Sequence, residues 1–429
     1  MKKINQDSET NRGGVEEPHV FGLFKNIQMQ GAQKTEARGV YGYTLSDTVC
    51  SATPAFAGVN SADACPAHAG RVFQQSHSKP LIIPIFIMNS GCPHRCIFCN
   101  QKITAGNYAA QITKDFFDTE VKSYLDWNKK RSSKVEIAFY GGSFTGISEA
   151  YQETLLSWAS SYVEDGQVNS IRISTRPDYI TQDCLSLLKE YNVSTVEIGA
   201  QSFNDEVLRF AQRGHDAAAT VLAVKTLKDH GFRTGLHLMV GLPKDTPDGF
   251  INSLNKAIEL MPDTVRLHPL IVLGGTALAE EFRLEKYKPL ELAEAIDLCC
   301  QAWEKLSAAG IRVIRIGLQA TEAMEEEGAV LAGPFHPAFG SLVLSSIFYN
   351  HTLKLLASIP TDTKELRFNL SSQDMSSFRG MANVNIAAIK KLYPRTNLIV
   401  ESISGQTRGK ISVATDSGKS FNLKIPGII

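Results

Sequence analysis

The stretch Leu81-Ile-Ile-Pro-Ile-Phe-Ile-Met-Asn-Ser-Gly-Cys92-Pro-His-Arg-Cys96-Ile-Phe-Cys99 decides how the rest of the chain is read. Its first eight residues are a continuous apolar run, Leu81 to Met88, rich in β-branched side chains. Such a run bounded by turn residues predicts a strand buried on both faces. It is far too short to span a bilayer, which takes about 20 residues. The run opens directly onto a CxxxCxxC loop. Three thiolates within eight residues can converge on one face, as an iron–sulfur cluster requires. Zinc is the rival. A structural zinc site normally closes with four ligands, and no second cysteine pair with that spacing follows. Cys50 and Cys65 lie upstream, Cys184 shares a predicted helix face with Leu187 and Leu188, and Cys299 and Cys300 are adjacent on another helix. Both readings stay open on spacing alone, but three thiolates leave a coordination position free, which chemistry needs and a structural site does not. His94, between two of the cysteines, is poorly placed to cap the same metal.

Outward from this loop, short β-rich runs alternate with amphipathic helical patterns. Strands are predicted at Leu81–Met88, Val135–Tyr140, Ser170–Ser174, Thr195–Ala200, Arg233–Val240, Thr264–Ile271 and Ile311–Ile316. Helices are predicted near Lys114–Lys129, Ser148–Glu164, Gln182–Tyr191, Ala217–His230, Asp248–Leu260 and Leu290–Ala309. Thr181 and Asp248 read as helix starts, and Gly231 and Gly310 as stops. The alternation predicts βαβ units and a parallel sheet. Right-handed crossovers then favour a closed or partial barrel, with chemistry at the C-terminal strand ends.

The frame around this core follows from composition. At 429 residues the chain has room for two or three domains. Apolar residues make up 43% and charged residues 21%, an ordinary globular balance that excludes a disordered or fibrous chain. Lys+Arg and Asp+Glu number 44 each, so a globally basic nucleic-acid protein is not indicated. Eight cysteines in this length are too few for a disulfide scaffold. The polar N-terminus lacks an apolar signal region, so the chain reads as soluble and cytoplasmic, without a membrane partner. Residues 1–78, rich in Ala, Ser and Gly from Thr44 onward, read as a flexible extension. Residues 79–330 read as the core. Residues 331–429 read as a small α+β domain, with strands at Asn397–Ser402, Gly409–Thr415 and Ser420–Ile425 forming a hairpin after a helix. From 351 to 429 there are 11 Lys/Arg against 5 Asp/Glu, a balance of +6. That is a solvated surface or a nucleic-acid-facing one.

The cysteine loop after the first strand resembles the radical S-adenosylmethionine superfamily. The resemblance implies an α/β fold, a partial (β/α)6 barrel. It also implies a [4Fe-4S] cluster on Cys92, Cys96 and Cys99 whose open iron binds S-adenosylmethionine. Phe98 takes the place of the aromatic packed near the adenine. Gly141, Gly142 and Ser143 stand where the family carries Gly-Gly-Glu around the methionine amino group, and Ser143 departs from that pattern. Arg176 is a candidate for a carboxylate, with an ion pair to Asp178 as its alternative. Gln201 is a candidate for the ribose or methionine end, Leu242 for backbone contact to adenine, and His215 and Gln319 are weaker candidates. No catalytic side chain is assigned. An electron donor such as flavodoxin or ferredoxin is implied.

Gly-Gly-Ser-Phe-Thr-Gly146, Thr175-Arg-Pro-Asp-Tyr179, Gly199-Ala-Gln-Ser202 and Arg213-Gly-His215 narrow the resemblance to the Elongator catalytic-subunit-like branch. It covers about residues 79 to 320, and tRNA becomes a candidate substrate. No full acetyltransferase fits after residue 330, so that activity is not carried over. A coproporphyrinogen oxidase-like reaction and a non-catalytic metal-knuckle RNA-binding protein are the alternatives.

Overall fold

The computed structural model describes residues 80–87, 91–92, 95–105, 111–128 and 134–428. The predicted N-terminal extension with Cys50 and Cys65, Met88 at the end of the first strand, His94 and Lys129 lie outside the described residues.

Seven parallel strands form the main sheet: β1 (Leu81–Phe86), β2 (Val135–Tyr140), β3 (Ser170–Thr175), β4 (Val193–Gln201), β5 (Arg233–Val240), β6 (Thr264–Pro269) and, after a two-residue β7 (Val272–Leu273), β8 (Arg312–Ile316). Their order is β1-β2-β3-β4-β5-β6-β8, so sequence neighbours are spatial neighbours. All seven predicted strands are present, β2 and β5 with the predicted ends and the other five with ends shifted by one or two residues. β7 pairs antiparallel with β9 (Val330–Ala332). Helices fill the connections: α1 (Gln101–Ala105), α2 (Lys114–Asn128), α3 (Glu149–Glu164), α4 (Gln182–Glu190), α5 (Asp205–Phe210), α6 (Ala217–Asp229), α7 (Pro247–Glu259), α8 (Ala277–Arg283) and α9 (Leu292–Ala308).

One face of the sheet is apolar. Ile83, Ile137, Ile173, Ile198, Leu238 and Leu267 are almost fully buried, as are Phe117, Leu155, Leu188, Val224 and Leu254 on the helices. Each such side chain contributes about 1.5–3 kcal/mol by leaving water. The helices start where side chains satisfy their first amides. Thr181, Asn204, Asp216 and Thr276 each accept a backbone N–H one or two residues inside α4, α5, α6 and α8. Asp248 is not the start of α7. Thr246 caps it and Pro247 occupies its first position, where a missing N–H costs nothing. Gly231 and Gly310 do follow α6 and α9, at φ of 77° and 74°.

The other face is polar, and its contacts reveal the curvature. Tyr140 of β2 and Arg266 of β6 are four strand steps apart, about 19 Å on a flat sheet. Yet the guanidinium lies 4.5 Å from the ring centroid. Only a strongly curved sheet brings them together, so the seven strands form a half-barrel with a concave polar face. Arg172 pairs there with Glu136 and, at 2.6 Å, with Glu197. Arg266 pairs with Glu197 at 2.9 Å and Arg233 with Glu136 at 3.1 Å.

After α10 (Phe339–Leu356), which packs on α9, comes a four-stranded sheet: β10 (Glu365–Leu370), β11 (Asn397–Ser402), β12 (Lys410–Thr415) and β13 (Ser420–Lys424). The helices α11 (Met375–Arg379) and α12 (Val384–Leu392) lie between β10 and β11. The sheet order is β11-β10-β12-β13. The expected hairpin holds for β12 and β13 alone. β11 instead pairs parallel to β10, a strand the sequence reading passed over. Its inward residues Leu366, Phe368 and Leu370 are fully buried and alternate with polar neighbours. Among the described residues no helix is long and apolar enough to cross a membrane.

Candidate active site

The cysteine loop sits at the C-terminal end of β1 and is clamped to the turn after β2. Gly91 has φ +69°, and a side chain there would place Cβ 2.1 Å from the Ser143 carbonyl oxygen and 2.6 Å from Gly146. Gly146 in turn meets the Gly91 carbonyl. Two backbones therefore touch where side chains would collide. The clamp brings the Ser143 backbone N–H onto the Cys92 sulfur.

Downstream, the loop is tied to later elements. Ile97 N–H donates to Ala211 O, Leu278 N–H donates to Ile97 O, and Cys99 N–H closes a turn onto Cys96 O at 3.0 Å. Ile97 is buried in an apolar cluster with Met239, Leu242 and Leu270, against which Phe98 packs. Phe98 and Leu242 thus share one apolar wall beneath the loop. The carbonyls flanking Leu242 are spoken for: Tyr287 Oη donates to Gly241 O at 2.7 Å, and Asp245 N–H to Leu242 O.

The three thiols act on one another electrostatically, Cys96 on Cys92 and both of these on Cys99. Cys92 and Cys99 keep solvent exposure and Cys96 is half-buried. Crowding by protein, then the neighbouring sulfurs, raises the Cys92 pKa and pushes that of Cys99 up to about 12. Arg213 opposes this in both cases. Its Nη1 lies 3.0 Å from Cys96 Sγ, and its Nη2 donates to Gly199 O at 2.7 Å. Gln101, at the start of α1, donates to the Gly141 carbonyl and bonds the Cys99 thiol.

Among the described residues no three His, Cys, Asp or Glu side chains are close enough to hold a single metal ion. The donor set fits a three-cysteine iron–sulfur cluster: three mutually coupled thiols, one guanidinium against the negative charge, and exposed Cys92 and Cys99.

The remaining predicted residues divide. Gly141, φ +97°, ends β2, and Gly142 follows it half-exposed. Ser143 is 1% exposed. Its hydroxyl bonds Thr175 Oγ1 at 2.9 Å and accepts from the Arg176 N–H. It is turned into β3, away from the role a glutamate would play. Arg176 is buried and makes a two-pronged pair with Asp178, Nε–Oδ1 2.9 Å and Nη2–Oδ2 2.7 Å. Its charge still reaches Cys92. Gln201 takes φ +66° at the end of β4. Its side chain is packed against Gly199, with Oε1 shielded from solvent and unpartnered among the described residues. A side-chain carbonyl so held awaits a donor. His215 also has a shielded, unpartnered Nε2. Burial, then Arg213, holds its pKa down at about 4. It lines an open cleft of about 870 Å³ with Arg95, Asp178, Arg209 and Asp216. Gln319 lies apart, accepting from Arg315 at 3.1 Å. Arg213 and Gln101 were missed as site residues. Arg213 stood inside a quoted motif, but its partner lies 117 positions away.

Two family models match this chain. Residues 86–257 match the family model of the radical SAM superfamily, and residues 262–348 that of the radical SAM C-terminal domain. A tRNA uridine(34) acetyltransferase from Methanocaldococcus jannaschii is 26% identical over 261 residues, 52% of this chain and 48% of that protein. Elongator complex protein 3 from Homo sapiens is 28% identical over 185 residues, 38% of this chain and 34% of that one. This chain therefore spans half or less of the length of these two relatives. The structure of archaeal Methanocaldococcus infernus Elp3 with an N-terminal deletion superposes with a TM-score of 0.49 at 21% identity, covering 65% of this chain and 64% of that one. The family implies a [4Fe-4S] cluster and S-adenosylmethionine.

Proposed function

We propose that this chain, a member of the radical S-adenosylmethionine superfamily, reductively cleaves S-adenosylmethionine and abstracts a hydrogen atom from a tRNA-linked substrate. The observation that carries the reading is the cysteine loop at the end of β1, where Cys92, Cys96 and Cys99 are electrostatically coupled and Arg213 Nη1 lies 3.0 Å from Cys96 Sγ. Held by these cysteines, the cluster would supply the single electron that splits S-adenosylmethionine into methionine and a 5'-deoxyadenosyl radical able to abstract a substrate hydrogen.

In this reading the chain's own residues bind and orient. Cys92, Cys96 and Cys99 would hold the cluster. Arg213 offsets their charge and Gln101 fixes Cys99 against the turn after β2. The Gly141-Gly142-Ser143 backbone borders the methionine end. Gln201 Oε1 accepts from the ligand, and Phe98 and Leu242 line the adenine side. Arg176 acts through its charge, since Asp178 occupies its fork. A flavodoxin or ferredoxin is the proposed electron donor.

The tRNA assignment draws support from the likeness to the tRNA uridine(34) acetyltransferase of Methanocaldococcus jannaschii and from the +6 balance of residues 351–429, 11 Lys/Arg against 5 Asp/Glu. Acetyl transfer is not included.

The test is anaerobic reconstitution with iron and sulfide, then dithionite and S-adenosylmethionine, with and without bulk tRNA. The wild type should be brown, form 5'-deoxyadenosine and form more of it with tRNA. Cys92→Ala, Cys96→Ala and Cys99→Ala should each lose iron and cleavage, while Cys299→Ala keeps its iron. Full iron and full cleavage in any of the first three would overturn the assignment.

A further inference from the structure

The concave face of the half-barrel carries a charge pattern that its fold does not require. Two carboxylates, Glu136 and Glu197, meet four guanidinia, Arg172, Arg233, Arg266 and Arg315. Arg172, Arg233 and Arg266 are paired. Arg315 is not: its partner among the described residues is the amide oxygen of Gln319.

Beside Arg315 stand two imidazoles. Register places His237 of β5 opposite Arg266 of β6, and Arg266 opposite Arg315 of β8. His268 is the next residue of β6 on the same face. The rings of His237 and His268 meet edge to face, 4.2 Å between centroids. The Nε2 atoms of both are shielded from solvent and hydrogen-bonded to nothing among the described residues. Two such buried orphans side by side are costly unless something satisfies them. Both side chains nevertheless retain partial exposure, so the wall is concave and reachable from solvent. Burial, then the nearby guanidinia, holds the His237 pKa down to about 3, and burial and His237 lower that of His268, so both rings are neutral. Each then offers one N–H donor, and Arg315 adds charge and a fork suited to an oxyanion.

The location points to substrate rather than structure. Met239, two residues beyond His237 on β5, packs with Ile97 of the cysteine loop. The wall thus lies one layer below the site of radical formation. We propose that His237, His268 and Arg315 bind an oxyanion group, carboxylate or phosphate, of the molecule that meets the radical. This rests on the function proposed above. It assigns the substrate a negatively charged anchor buried in the half-barrel.

The experiment titrates the reconstituted holoenzyme with inorganic phosphate and, separately, with acetate, against chloride at equal ionic strength. The reading is Tm, which rises as RT ln(1 + [L]/Kd) for a ligand bound to the folded state. A saturable rise with phosphate or acetate, absent with chloride, is expected, and the stronger of the two identifies the anchor. Arg315→Gln should weaken the apparent Kd about tenfold or more, the value of one charge-assisted hydrogen bond. Arg379→Gln, at an exposed position of α11, should match wild type. Should Arg315→Gln not fold, His268→Asn is read in its place with the same expectation. No saturable rise, or one left intact by the variant, overturns the site. The same wild-type sample is assayed for 5'-deoxyadenosine. Its absence overturns the radical reading and the claim about a radical's target, whereas a rise lost in Arg315→Gln still supports the oxyanion site.

Discussion

The guanidinium of Arg213 places Nη1 3.0 Å from Cys96 Sγ and anchors Nη2 on the Gly199 carbonyl at 2.7 Å. One side chain from the loop after α5 therefore fixes the cysteine loop to the end of β4. Gly199 makes this possible: a Cβ there would lie 3.0 Å from Gln201 Nε2 and 3.2 Å from Arg213 Nη2. The fork of Arg213 spans a sulfur and a carbonyl at once, which a lysine ammonium reproduces poorly.

Arg213→Gln removes a positive charge and a hydrogen bond to a ligand sulfur, two of the levers on cluster potential. The midpoint potential should fall by on the order of tens of millivolts. An EPR-monitored redox titration checks this. Arg213→Lys should recover part of the shift, because it restores the charge but not the span. An unmoved potential in the Gln variant would place Arg213 outside the cluster's field.

Gly91→Ala tests the clamp. The new Cβ would need to displace the Ser143 carbonyl, and the φ of +69° adds about 1–2 kcal/mol of backbone cost. The cysteine loop should shift, and iron content after reconstitution should drop to less than about half of wild type. Global unfolding should move far less, since Gly91 is half-buried and Cys92 exposed, both outside the apolar core. Iron analysis beside a thermal melt separates the two effects.

These relationships mark the boundary of what the sequence made legible. The apolar period and the spacing of strand and helix runs placed all seven strands of the half-barrel, because periodicity is a local property. The cysteines were legible for the same reason. The reach of Arg213 was not: its partner is set by how β4 and β1 curve toward each other. Ser143 was assigned by position in a turn, and its burial against Thr175 depends on the register of β2 with β3. The cap of α7 and strand β10 carried local signals, Thr246-Pro247 and the alternation of Leu366, Phe368 and Leu370, that outcompeted the reading given to them.

Glu197→Gln probes the ion network of the concave face. Glu197 is 4% exposed and pairs with both Arg172 and Arg266. Its loss leaves the buried Arg172 with Glu136 alone. Breaking a buried pair from one side costs about 3–5 kcal/mol. Urea unfolding should show a lower midpoint with an unchanged m-value. A loss below about 1 kcal/mol would mean that water or relaxation replaces the carboxylate.

Asp245 supplies a prediction in pH. Burial raises its pKa to about 6, only partly offset by the Thr246 backbone N–H it accepts. The folded state holds this proton more tightly than the unfolded chain does. Its contribution is therefore fully present below the ordinary carboxylate pKa and is lost as pH rises through about 6. At pH 7.5 Asp245→Asn should be more stable than wild type by about 1 kcal/mol, after discounting for partial exposure. Near pH 4 the two should nearly coincide. Denaturant melts at the two pH values decide it, and an Asn variant less stable at both would mean that the charged carboxylate holds a partner.

His268 works in the opposite direction. Burial and then His237 push its pKa well below the ordinary imidazole value, so the folded state resists the proton that the unfolded chain accepts. Stability from this source is complete above about pH 6.5 and is lost as pH falls. His237, held at about 3, behaves alike, so acid attacks the same wall twice. His268→Gln removes one of these protonation sites and relieves His237 of its neighbour. Between pH 6.5 and 4.5 the Tm of the variant should therefore fall less steeply than that of wild type, even if the variant starts lower at neutral pH. Inorganic phosphate bound at Arg315 should flatten the wild-type slope in the same window, since an anion beside the rings favours their charged form. A variant slope equal to that of wild type would show that acid loss arises elsewhere in the fold.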